Sequence, residues 1–209
     1  MKYAVTPDQL REEGACFSGY NRVVRMLQGV DFDEDDEKLE RYLELQCTDL
    51  IRLVDIANSN GLADAVWCLR CITDCERDAT MFSVWCARQV QHLMKDPRSV
   101  ASLDVAERFS DGKASVDELN EAIGQALLVD KSGLSDAEEC AAALAVWCSR
   151  APTIPSLTVY VTYSRAASLL AFDAPREKYF EVQDAVREKQ KEMFIRMCNG
   201  DAPWQKKIG

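Results

Sequence analysis

Leu157-Thr158-Val159-Tyr160-Val161-Thr162-Tyr163 decides the fold class of this 209-residue chain. Its β-branched residues alternate, which fits a strand. The continuation, Ser164 to Phe172, has no alternation and favours a helix. An isolated strand is not stable by itself, and the chain offers it no partner. The sequence therefore predicts a buried helix over 156–172 and, with it, an all-α protein.

Working outward from that stretch, helix punctuation is frequent. Thr6-Pro7-Asp8-Gln9, Ser115-Val116-Asp117-Glu118 and Ser135-Asp136-Ala137-Glu138 each place a hydroxyl three residues before Gln or Glu, the pattern of a capping box. Gly29 and Gly200 follow amphipathic runs and read as helix stops. Leu39, Leu43, Leu50, Leu53, Val54 and Ala57 recur at helical spacing and predict one long helix over about 36–58. Further helices are expected over about 62–72, 78–94, 97–109, 116–129 and 135–150, the last ending at Ala151-Pro152. A final one spans about 175–198. The expected architecture is a compact bundle of about nine or ten helices in one domain, with a soft division near residue 60 between N-terminal helices and the main bundle.

One string occurs three times: Val66-Trp67-Cys68-Leu69-Arg70, Val84-Trp85-Cys86-Ala87-Arg88 and Val146-Trp147-Cys148-Ser149-Arg150. Trp and Arg three apart share a helix face, so the guanidinium can lie along the indole. The irregular spacing excludes a regular solenoid. Trp67, Trp85 and Trp147 are expected in the core, and Trp204 outside it.

Composition narrows the function. At 47% hydrophobic and 29% charged the chain is built to fold. A formal net charge of −10 disfavours direct binding to nucleic acid. His92 is the single histidine, and nothing resembling a nucleophile elbow, a phosphate loop or a dinucleotide fingerprint surrounds it. No catalytic residue is assigned, no cofactor is expected, and the protein is expected not to be an enzyme. The N-terminus lacks a signal-peptide core and no run reaches the length of a membrane helix, so a cytoplasmic protein is expected. Nine cysteines, mostly within apolar helical runs, are expected to be reduced thiols serving as small hydrophobes. Cys68, Cys71 and Cys75 lie three, four and seven apart. With Cys86 they form the one cluster that a metal-stabilised regulator would use.

Residues 31–44 hold eight acidic and two basic side chains, a net charge of −6. Asp31, Asp33 and Asp35 match the first ligand positions of a calcium loop, but Asp36 stands where glycine is needed and Tyr42 where glutamate is needed. That leaves Asp31, Asp33, Glu34, Asp35, Asp36, Glu37, Glu40 and Glu44 as candidate partner-binding residues. Carboxylates spaced along a helix approximate duplex phosphates, and would draw in a DNA-binding protein by Coulomb attraction.

Two resemblances add to this. Ala65 to Glu121, with Val66-Trp67-Cys68-Leu69-Arg70, Val84-Trp85-Cys86-Ala87-Arg88 and Asp104-Val105-Ala106-Glu107-Arg108-Phe109, resembles the helical region of immunity proteins associated with bacterial polymorphic toxins. Leu10-Arg11-Glu12-Glu13-Gly14-Ala15-Cys16 with Gly19-Tyr20-Asn21 is similar to the openings of small phage and prophage proteins. The resemblance implies a mobile-element protein that acts by binding. The leading expectation is a phage-encoded protein that occludes a bacterial partner, such as a CRISPR or restriction nuclease. The alternatives are an immunity protein neutralising a toxin and the metal-stabilised regulator.

Overall fold

The computed structural model describes residues 2–45, 49–150, 155–172 and 174–205. Eleven α-helices among the described residues form an all-α bundle. In chain order they are α1 (Pro7–Glu12), α2 (Phe17–Gln28), α3 (Glu34–Glu37), α4 (Leu53–Ser59), α5 (Leu62–Trp67), α6 (Glu76–Arg88), α7 (Pro97–Ser110), α8 (Val116–Leu127), α9 (Asp136–Ser149), α10 (Pro155–Phe172) and α11 (Tyr179–Asn199). The capping boxes at Thr6, Ser115 and Ser135 are all formed, and Gly29 and Gly200 end α2 and α11 at φ of 69° and 79°. The expected stop at Ala151-Pro152 lies outside the described residues, as does Cys47.

The stretch that decides the fold is α10, which packs against α5, α6, α9 and α11. Thr158, Val159, Thr162, Tyr163, Ala166, Ala167, Leu169 and Ala171 are buried, a helical rather than an alternating pattern. The threonines are tolerated inside because the helix satisfies its own hydroxyls: Thr162 Oγ1 donates to Thr158 O at 2.7 Å. Small residues let α6, α9 and α10 approach closely. Ala79, Ala87, Ala141, Ala145 and Ala166 are all fully buried. Ser149 Oγ reaches Ser102 O of α7 at 3.1 Å, and Cys148 Sγ lies 3.5 Å from Ser83 O and 3.6 Å from Thr162 Oγ1. Phe82 meets Phe194 edge-on at 5.7 Å and stacks on Trp85 at 6.1 Å.

The expected helix over 36–58 does not form as one element. Residues 38–45 are irregular, and Ile51–Arg52 is a short strand, β2, paired antiparallel with β1 (Ala4–Val5) in register Ala4↔Arg52 and Val5↔Ile51. Tertiary polar contacts outcompete helical spacing here. Buried Asn21 grips the irregular chain, donating from Nδ2 to Arg41 O at 3.0 Å and accepting from Leu43 N at 2.8 Å. Tyr42 Oη donates to Ala15 O at 2.7 Å. Leu53 N donates to Tyr3 O at 3.0 Å, which carries the pairing into α4. At residue 60, α4 and α5 pack directly on each other.

The tryptophans correct a second expectation. Val66, Cys68, Val84, Cys86, Val146 and Cys148 are buried, but Trp67, Trp85 and Trp147 are only half-buried. Valine and cysteine two apart point about 200° apart around the helix, so both flanks are buried and the indole between them sits at the edge. Trp204 is half-buried too, rather than exposed, with its Nε1 enclosed. No helix among the described residues is long and apolar enough to cross a membrane.

Candidate functional site

The acidic segment is an ordered structure with two kinds of carboxylate. Asp33 caps α3, accepting from Asp35 N and Asp36 N at 2.9 Å each. Asp36 turns inward and is buried. Its carboxylate receives Arg25 Nε at 2.8 Å and Nη2 at 2.6 Å, a two-pronged pair from α2. The Arg25 guanidinium holds the Asp36 carboxyl below the usual carboxylate range. Glu37 accepts from Ser18 Oγ at 2.9 Å and from Arg22 Nη2 at 3.2 Å, while Arg22 lies over the Phe32 ring at 4.1 Å. Asp36 is therefore not a surface residue, which corrects its place among the partner-binding candidates: it fastens α3 to α2. Asp31, Asp33, Glu34, Asp35, Glu37, Glu40 and Glu44 are exposed. Among the described residues Glu34 pairs only with Lys38, at 3.7 Å, with its side chain almost wholly in solvent.

The cysteine cluster disperses. Among the described residues no group of three or more His, Cys, Asp or Glu side chains is placed to hold a metal ion. Cys68 and Cys71 lie in a 3-10 turn after α5, Cys75 sits before α6 with its thiol toward Leu69 O, and Cys86 within α6 neighbours Cys148. Burial pushes the thiols of Cys71 and Cys75 up to about 11 and that of Cys148 up to about 12, and raises those of Cys68, Cys86 and Cys198 as well. Neutral buried thiols are packing groups. His92 is exposed on a 3-10 turn, Gln91–Leu93.

A second region emerges only in three dimensions: the chain-crowded surface around α5. Gly61, at φ of 93°, lets the chain turn sharply out of α4. Asn60 then staples three elements, donating from Nδ2 to Gly19 O and to Asp64 Oδ2, both at 2.8 Å. A Cβ at Gly19 would stand 3.1 Å from Asp64 Oδ2, so α2 and α5 touch here because position 19 has no side chain. Beside this junction runs a cleft of about 560 Å³ between α5, α10 and α11, with Tyr163, Arg187 and Lys191 in its wall. A second compartment of about 330 Å³, lined by Asp64, Trp67, Arg70, Ser156 and Leu157, shares Ala63 and Tyr160 with the first. Arg70 lies over the Trp67 ring, its guanidinium carbon 4.3 Å from the ring centre, and its Nε donates to Trp67 O at 3.3 Å. That is the contact the repeated string anticipates. Arg88 instead turns to Asp104 and Glu107. Tyr160 is 49% exposed and packs edge-on against Tyr163 at 5.6 Å.

The sequence marked Trp67 and Arg70 through the repeated string but gave no sign of Tyr160, Arg187 or Lys191. These come from helices distant in the chain, and only packing brings them together. No protein-family model, curated protein or solved structure matches this chain.

Proposed function

We propose that this protein works without catalysis, by binding, and that its acidic segment docks on a basic surface of a macromolecular partner. The observation that carries this reading is the division of labour among the carboxylates. Asp36, clamped by Arg25, fixes α3 in one geometry, while Asp31, Glu34, Asp35, Glu40 and Glu44 stay in solvent. A charged surface held in place attracts an opposite surface at long range and needs little ordering when the two meet. The similarity of the N-terminal residues to phage and prophage proteins supports a setting in the cytoplasm of a bacterial host. There the partner class is a DNA-binding defence protein, such as a CRISPR or restriction nuclease.

The test is capture from bacterial lysate with the tagged chain, against a variant carrying Asp31→Asn, Glu34→Gln, Asp35→Asn, Glu40→Gln and Glu44→Gln. The parent should enrich a DNA-binding protein at low salt, and the variant should lose it. The difference should shrink at high salt, where screening removes the long-range attraction. Equal capture by both proteins at low salt would remove the acidic segment from the mechanism.

A further inference from the structure

We infer that the two-compartment cleft around α5 binds a free nucleoside mono- or diphosphate. Each part of such a ligand meets its complementary chemistry. For the base there is Tyr160, half-exposed at the junction of the two compartments and held by its edge contact with Tyr163. An exposed aromatic face of this kind stacks any nucleobase.

For the phosphate there are cations with spare hydrogen-bonding capacity. Arg70 uses its Nε on Trp67 O, and both its Nη groups lack a protein partner among the described residues. Its contact with the Trp67 ring and its Nε bond to Trp67 O hold the guanidinium in place in advance, which lowers the entropy lost on binding an oxyanion. In the larger compartment Arg187 has only a loose pair with Asp184 at 3.6 Å, and Lys191 has no ion-pair partner among the described residues.

For the sugar there are acceptors. Asp184, Arg187, Glu188 and Lys191 fall at i, i+3, i+4 and i+7 of α11, one stripe of alternating sign facing the cleft. Carboxylates on that stripe suit ribose hydroxyls, and cations on it suit phosphate oxygens.

Size and charge choose between a free nucleotide and a strand. Compartments of about 560 and 330 Å³ match the span of one small ligand. A chain of net charge −10 repels a polyanion, and each further phosphate beyond the local cations adds to that repulsion. The cleft and the acidic segment have no residue in common, so this inference stands apart from the binding function proposed above.

The full chain is titrated by calorimetry and tryptophan fluorescence with AMP, GMP, ADP, adenosine, inorganic phosphate and a single-stranded oligonucleotide. A nucleoside phosphate should bind one to one, about tenfold or more tighter than adenosine or phosphate alone, because both halves of the cleft contribute. Tyr160→Ala and Arg70→Gln should each weaken it by about tenfold. Tyr160→Phe should bind like the parent, because it keeps the aromatic face. Both Tyr160 and Arg70 are exposed, and unchanged thermal midpoints would confirm that the variants fold. Glu34→Gln should leave nucleotide binding unaltered. Absence of saturable binding at millimolar nucleotide, preference for the oligonucleotide, or parental affinity in Tyr160→Ala and Arg70→Gln would each overturn the inference.

Discussion

The first quarter of the chain and the bundle that follows are held together differently. From Lys2 to Leu45, α2 is flanked by the short helices α1 and α3, and the irregular chain is positioned by named polar contacts: Asn21 on the 41–43 backbone, Tyr42 on Ala15 O, Arg25 on Asp36. From α6 to α11 the helices are long, and Ala, Ser, Cys and Thr let them close on one another around Phe82 and Phe194. Apolar burial is non-directional and tolerates small shifts. A buried hydrogen bond tolerates almost none, and leaves an unpaired group when it fails. Val5, Leu10, Tyr20 and Val24 join the N-terminal region to the common apolar core, and its polar contacts add defined geometry for a charged surface.

The contrast is tested hardest in the core. Phe82→Ala removes a fully buried ring between Trp85 and Phe194 and should cost about 3–5 kcal/mol in urea unfolding. Trp85→Ala should cost roughly half as much, since that indole is only half-buried. Equal losses would put Trp85 back in the core.

Asn21→Leu tests the polar side. It leaves Arg41 O and Leu43 N without their partner and should cost about 1–3 kcal/mol. Amide exchange should rise around residues 41–45 and stay unchanged in α9 and α10. If exchange rose uniformly, the two regions would form one cooperative unit and the contrast would fail.

Acid should weaken a polar anchor on α6. Burial opposes ionisation of Asp78, but hydrogen bonds from Tyr3 at 2.6 Å and Lys2 at 3.0 Å outweigh it, so its folded pKa is lowered. A lowered carboxyl contributes stability that is present above the unfolded value, about 3.9, and is lost as pH falls through the folded one. Tyr3→Phe should therefore lower the unfolding free energy by about 1 kcal/mol at neutral pH, and its deficit against the parent should narrow below pH 4. A constant deficit at every pH would detach Asp78 from the effect. The smallest change is expected from Glu34→Gln with Asp35→Asn, which should leave the urea midpoint where it is, because exposed charges contribute little to stability.

Local signals were legible in the sequence and long-range ones were not. Thr6, Ser115 and Ser135 announce their helices because a cap and its partner lie three residues apart. The 155–172 helix is legible too: its buried positions follow helical spacing, and the short pairing of β1 with β2 lies in other parts of the chain. The 36–58 stretch misleads because its apolar spacing is helical, while Asn21, Tyr42 and the β1 pairing act from residues far away in sequence. The acidic segment shows its charge plainly, but nothing in the run of Asp and Glu marks Asp36 as the one that turns inward. The cleft around α5 depends on α5, α10 and α11 converging, which no spacing within one helix encodes.

The thiols turn the molecule into its own clock for opening. Cys68, Cys75, Cys86 and Cys148 are buried, whereas Cys16 is exposed. A sulfhydryl reagent will modify Cys16 in the folded protein and reach the others only when their surroundings part. Labelling of Cys86 and Cys148, both fully buried within α6 and α9, would follow the bundle's rarest excursions. Mass spectrometry of the labelled chain would then read separate opening rates for separate parts of one unmodified protein.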